Sequence, residues 1–173
     1  LRIYTRPTII MGSERKTCEG DRVLFLPWVE GGSGEASYFW QGPNGFESEE
    51  SEFEFNPITQ QQAGSYVLTV TDTINCVESK NFELIVSPLP IIAFAGQDTI
   101  YAEPGFILEA GSGYESYLWN TNDTTESIQI NQEGIYAVEI SSMQNCQSAD
   151  TVTILWGGEP FYLPNAFTPD GDG

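Results

Sequence analysis

The sequence predicts an all-β protein, two tandem antiparallel β-sandwiches followed by a short C-terminal segment. Three observations predict it. Short runs rich in Thr, Ile, Val and aromatic residues are bounded by Gly, Asn, Asp and Pro, the vocabulary of strands and turns. No apolar period of 3.6 residues is sustained, so helices should be nearly absent. Finally, the chain repeats itself. Trp40, Gly64-Ser65-Tyr66 and Cys76 recur as Trp119, Gly134-Ile135-Tyr136 and Cys146, each cysteine ten residues after its tyrosine and directly after an asparagine. A repeat of roughly 80 residues marks two copies of one unit. A unit of that size buries only about 60–65% of its unfolded surface, so its core gains from a staple or a neighbour.

Residues 1–6 open the chain on Leu1 and read like the close of a strand, comparable to Leu84-Ile85-Val86. They are expected to end a preceding module of a longer array. The first sandwich spans residues 7–87, with strands expected over 8–11, 22–27, 37–41, 52–55, 64–71 and 81–86. The joint is Ser87-Pro88-Leu89-Pro90, whose prolines favour a short, semi-rigid extended linker. The second sandwich spans 88–157, with strands expected over 91–94, 106–110, 116–119, 127–130, 134–141 and 151–155. Phe53 and Phe55, like Ile128 and Ile130, alternate with polar neighbours as a half-buried strand does. Residues 158–173 begin a further segment.

Six or seven short strands per unit point to an immunoglobulin-like sandwich. Trp40 and Trp119 each sit mid-strand in Tyr-Phe-Trp and Tyr-Leu-Trp, which makes them core plugs before surface platforms. Tyr66 and Tyr136 resemble the tyrosine corner of such sandwiches, in which the phenol bonds upstream backbone.

Superposing the repeats places Thr17-Cys18-Glu19 on Tyr101-Ala102-Glu103. The first unit then holds two cysteines and the second one. The expected disulfide is Cys18–Cys76, with Cys146 a free thiol, either buried and inert or available to another molecule. In the chain-entropy model the bond stabilises by at most roughly 4 kcal/mol. Its presence implies an oxidising compartment.

Net charge is −19, and all six cations (Arg2, Arg6, Arg15, Lys16, Arg22, Lys80) fall in the first 80 residues, while residues 81–173 hold thirteen acids. Such a surface repels phosphates, which excludes nucleic acid as a partner. It also repels anionic lipid headgroups. No apolar run is long enough for a direct membrane span. The chain has no histidine, which removes Ser-His and Cys-His nucleophilic systems and the commonest zinc ligand. No glycine-rich loop opens a helix. The carboxylates of residues 48–54 read as a solvated loop rather than a positioned pair in a cleft. The expectation is no enzyme and no cofactor.

The final stretch, Tyr162-Leu163-Pro164-Asn165-Ala166-Phe167-Thr168-Pro169-Asp170-Gly171-Asp172-Gly173, resembles the opening of the gliding-motility-associated C-terminal domain of Bacteroidetes proteins, with Asp170 where Asn is commoner. Cys-Glu-Gly-Asp (18–21), Trp-x-Gly-Pro-Asn-Gly-Phe (40–46) and Ala-Gly-Ser-Tyr-Val-Leu-Thr-Val-Thr-Asp (63–72) resemble the Ig-like or PKD-like repeats that often precede it. The resemblance implies a secreted or cell-surface adhesin-type protein exported by type IX secretion. A type B sorting domain would begin near Phe161. The partners implied are the type IX machinery and an outer-membrane protein of the PorP/SprF kind. Two smaller signals fit that setting. Asp170 and Asp172 are candidate calcium ligands, but two carboxylates fall far short of the six to eight oxygens the ion takes, and a Gly-rich turn is the plainer reading. Asp72-Thr73-Ile74, Asp98-Thr99-Ile100, Asp123-Thr124-Thr125 and Asp150-Thr151-Val152 match the Bacteroidetes O-glycosylation pattern (Asp, Ser or Thr, then a small or apolar residue) at Thr73, Thr99, Thr124 and Thr151, although Asp-Thr is also common where a turn enters a strand.

The first functional expectation is therefore a non-enzymatic extracellular spacer and adhesion segment, partnered by neighbouring modules of its own chain. The second is a module that binds a surface glycan or protein through exposed aromatics such as Phe46, Tyr114 or Phe161. A third makes the chain an accessory part of an exported enzyme.

Overall fold

A computed structural model describes residues 5–157. The chain divides into two compact units, Leu1–Pro90 with Ser142–Cys146, and Ile91–Ser141 with Gln147–Gly173. Each is a β-sandwich.

The first unit contains β1 (Thr8–Ile10), β2 (Glu14–Cys18), β3 (Val23–Phe25), β4 (Trp28–Glu30), β5 (Ser37–Gln41), β6 (Glu47–Ser48), β7 (Phe53–Phe55), β8 (Gly64–Thr71) and β9 (Val77–Ser87). One sheet runs β2-β9-β8-β5-β6; β3 pairs with β7, and β1 with β4. All these pairings are antiparallel except β2 on β9. Strand β8 shows why the sheet has one dry face: Tyr66, Leu68 and Val70 point in, while the residues between them are only half-buried. Opposite lie Val23 and Phe25. The Phe25 ring stacks on Phe53 at 4.6 Å and meets Trp40 and Phe82 edge-on at 5.9 and 5.3 Å. Edge-on and offset contacts suit aromatic quadrupoles.

The second unit contains β10 (Thr99–Ala102), β11 (Phe106–Glu109), β12 (Ser116–Trp119), β13 (Ser127–Ile130), β14 (Gly134–Ser141) and β15 (Gln147–Trp156). Its larger sheet runs β10-β15-β14-β12 and its second pair is β11-β13. The core gathers Ile92, Phe94, Leu108, Trp119, Ile130, Val138, Ile140 and Ile154. Again the first strand of the larger sheet lies parallel to the last. In both units one pair faces a sheet built on a long hairpin, and a tyrosine opens that hairpin. This is the immunoglobulin-like arrangement.

Four strands, β2, β4, β6 and β10, are not legible in the sequence. Strand β2 reads Glu-Arg-Lys-Thr-Cys, and a charged run hides a strand in any hydrophobic pattern. It lies at the edge of its sheet, where charge guards against edge-to-edge pairing. The reverse happens at 91–94, expected as a strand. Ile92 and Phe94 are buried, but successive turns hold the backbone, with Ala95 N donating to Ile92 O and Gln97 N to Phe94 O, both at 3.0 Å. The hairpins also start earlier than expected, β9 at Val77 and β15 at Gln147, because each ladder continues through polar residues down to its turn.

Candidate functional site

The cysteines sit in two kinds of local structure. Cys76 ends the five-residue turn between β8 and β9. Asp72 starts that turn and is the buried charged residue among the described ones. Its Oδ1 accepts from Ile74 N at 3.0 Å and Cys76 N at 2.8 Å, and its Oδ2 accepts from Ser33 N at 3.0 Å. Asp72 N donates back to Cys76 O at 3.0 Å. Asn75 takes the left-handed conformation, φ 61°, which asparagine tolerates better than most residues. Cys146 ends a turn of the same design between β14 and β15. Ser142 N donates to Cys146 O at 2.9 Å, Ser142 Oγ accepts from Cys146 N at 3.2 Å, and Asn145 has φ 61°.

Cys18 lies elsewhere, at the end of β2 and opposite Ser87 in the register. Its turn is held by Asp21, whose Oδ2 accepts from the Thr17 hydroxyl at 2.7 Å and from Cys18 N at 2.9 Å. The Thr17 bond first, then the Cys18 amide, and to a lesser degree Arg15, hold the Asp21 carboxyl below the usual carboxylate range against an opposing desolvation.

Cys18 is bonded to Cys146, with the two Cα atoms 5.5 Å apart, and Cys76 is the free, half-buried thiol. This corrects the expectation of a Cys18–Cys76 bond with Cys146 free. The reason is strand direction. Cys76 precedes the first residue of β9, whereas Cys18 pairs with Ser87, its last. The length of β9, on the order of 35 Å at 3.3 Å per residue, separates them. A disulfide needs Cα atoms within about 7 Å. The alignment of the repeats also shifts by one. The turn that begins at Cys18, with Asp21 N to Cys18 O and Gly20 N to Ile58 O, matches the one beginning at Glu103, with Phe106 N to Glu103 O and Gly105 N to Ile130 O. Glu103, not Ala102, stands where Cys18 stands.

Trp40 and Trp119 are fully buried, with their indole N–H groups donated to Glu50 O at 3.1 Å and Thr125 O at 2.8 Å. Tyr66 donates its hydroxyl to Gln62 O at 2.7 Å, and Tyr136 to Gln132 O at 2.9 Å, each four residues upstream. Burial pushes the Tyr66 phenol up to about 12. The four threonines of the Asp-Thr pattern, Thr73, Thr99, Thr124 and Thr151, are exposed, although the Thr73 hydroxyl is already given to Ser33 O. Asp170, Asp172 and Phe161 lie outside the described residues.

The two described aromatics named for ligand binding do not stand free. Phe46 packs on Phe53 at 4.9 Å and on Phe55 at 5.5 Å. The Tyr114 hydroxyl accepts from Ile91 N at 3.0 Å and donates to Ile91 O at 2.9 Å, pinning the start of the second unit. Sequence reasoning missed the most exposed aromatic of the described residues instead. Trp28 is 65% exposed on β4, directly opposite Ile10, itself 47% exposed, on β1. Its indole N–H reaches Glu30 at 3.1 Å. Leu24 and Leu26 are exposed at alternate positions just upstream, but β3 ends at Phe25 and β4 begins at Trp28, so the Leu-x-Leu-x-Trp spacing spans two strands and does not mark one.

Among the described residues, no three of His, Cys, Asp and Glu converge to hold a metal ion. No helix among them is long and apolar enough to cross a membrane. No family model and no curated protein matches the chain. Solved structures do, several of them of tandem immunoglobulin domains. They include three N-terminal domains of the bacteriophage RB49 highly immunogenic outer capsid protein, at 20% identity and TM-score 0.47 over 87% of this chain and 59% of that one. Sidekick-1 immunoglobulin domains 1–5 match at 15% identity and TM-score 0.45, over 90% and 38%. Dpr2 Ig1-Ig2 in complex with DIP-Theta Ig1–Ig3 matches at 18% and 0.43, over 89% and 66%. The chain thus spans less than two thirds of these structures' length.

Proposed function

We propose that this chain is a non-enzymatic, force-bearing spacer and adhesion segment of an extracellular surface protein. The observation that carries the reading is the Cys18–Cys146 bond, which joins residues 128 apart in sequence. A pull on the two ends runs from the N-terminus to Cys18, across the disulfide, and out from Cys146. Residues 19–145 lie inside the covalent loop and bear no extension. A bond of this kind persists in oxidising, extracellular surroundings. The acidic surface, net charge −19, keeps such a segment soluble and self-repelling.

The export route belongs to the same proposal. The resemblance of residues 162–173 to the gliding-motility-associated C-terminal domain supports type IX secretion, a sorting domain beginning near Phe161, and an outer-membrane partner of the PorP/SprF kind. The test is replacement in the natural protein. Substituting residues 7–157 with an unrelated pair of sandwiches of equal length should preserve surface attachment and adhesion, whereas deleting them should weaken adhesion. Loss of adhesion in both constructions would favour a binding role.

One observation favours that second reading, the exposed Trp28–Ile10 pair on the β1–β4 ribbon. Paired exposed apolar side chains of this kind mark recognition surfaces when they extend into a patch. Trp28→Ser in the natural protein separates the two: adhesion unchanged for a spacer, reduced for a binding face.

A further inference from the structure

Cys76 and Cys146 are presented by the same turn, yet only one is bonded. Both turns close with the first residue's N–H on the cysteine carbonyl, 3.0 Å at Asp72 and 2.9 Å at Ser142. Both carry asparagine at φ 61° just before the cysteine. The repeat-equivalent thiol is therefore a built disulfide position, and its partner is known. Cys146, in the turn of the second repeat, is bonded to Cys18, at the strand end of the first.

We propose that Cys76 forms the same bond one repeat earlier. It would join a cysteine held, as Cys18 is, at the end of the first edge strand of an immunoglobulin-like module on the N-terminal side of residue 7 in the same polypeptide. The rule is directional: the turn cysteine of each repeat reaches the strand-end cysteine of the repeat before it in sequence. The geometry of the first unit closes off the internal alternative, since Cys18 is already bonded and lies at the far end of β9. Asp72 serves this role. Its three accepted backbone hydrogen bonds fix the turn, so the thiol is held in place before any partner arrives. At the strand-end position of the second repeat stands Glu103, so the rule also says that the staple stops there and joins nothing downstream.

The chemistry is thiol–disulfide exchange with a disulfide oxidant, small-molecule or protein. The Cys76 thiolate attacks one sulfur of the oxidant, forming a mixed disulfide and releasing one thiol. The partner's thiolate then attacks the Cys76 sulfur and releases the second thiol. Two protein thiols are oxidised and one oxidant disulfide is reduced to two thiols.

This inference rests on the spacer reading, and one experiment tells the two apart. The full-length natural protein is alkylated without reduction, digested, and mapped for linked peptides. The expected result is Cys18 linked to Cys146, and Cys76 linked to a peptide of the same polypeptide on the N-terminal side of residue 7, whereas a link to a peptide beyond residue 173 overturns the rule. In the full-length Cys76→Ser variant one new thiol should become alkylatable, at that partner. Cys76 found alkylated, with Cys18–Cys146 intact, overturns this inference and leaves the spacer standing. A Cys76–Cys76 link between two copies overturns it as well. Absence of the Cys18–Cys146 link sinks both.

Discussion

The Tyr66 hydroxyl donates to Gln62 O from a side chain that is 1% exposed, so Tyr66→Phe removes one part-buried hydrogen bond. The expected cost is about 1 kcal/mol, read from urea unfolding with tryptophan fluorescence. The same residue sets an alkaline limit. Its folded-state pKa is raised to about 12 from 10.0 by burial, so ionisation favours the unfolded chain. The stabilisation is whole below pH 10 and is lost as pH rises from 10 toward 12. Tyr66→Phe should flatten that part of the stability profile, and a profile unchanged by the substitution would show that another group sets it. Trp40→Ala should cost roughly 3–5 kcal/mol, since it empties a fully buried site. These positions are marked in the sequence because a spacing that occurs twice picks them out. Phe46 and Tyr114 carry no such mark. An aromatic beside glycines looks exposed in a string, and only the fold shows Phe46 turned onto Phe53 and Tyr114 bonded to Ile91.

Among the elements, the β8–β9 turn depends on Asp72. Asp72→Ala removes the acceptor of three backbone N–H groups and should destabilise the first unit by about 2 kcal/mol or more. Asp72→Asn should cost less, because one amide oxygen can keep the Ile74 and Cys76 bonds while its NH₂ faces Ser33 N–H. Thermal unfolding of the two variants checks the order; equal losses would mean the turn is held by something else. The hairpin strands were legible from their alternation, and so was the all-β, immunoglobulin-like class. The charged edge strand β2 was not: Glu14-Arg15-Lys16 looks like a loop until β9 pairs with it. That one strand also decides the cysteine pairing. Its parallel register carries Cys18 to the end of β9 remote from Cys76, and no spacing in the sequence states which way an unseen strand runs.

For the whole molecule, the Cys18–Cys146 bond sets both stability and mechanics. In the chain-entropy model a loop of 128 residues contributes roughly 5 kcal/mol. Cys146→Ser should therefore lower the melting temperature markedly, whereas Cys76→Ser in the 173-residue chain should leave it nearly unchanged. Differential scanning calorimetry of the two variants separates them. The mechanical consequence is the more direct test of a force-bearing spacer. In single-molecule pulling of the chain held at its two ends, the loop between Cys18 and Cys146 should stay closed at any force the disulfide survives. Added reductant should then release the 128-residue separation, a contour gain of about 45 nm at 3.5 Å per residue. Release of that length without reductant would show that the bond does not lie on the force path, and would contradict the account.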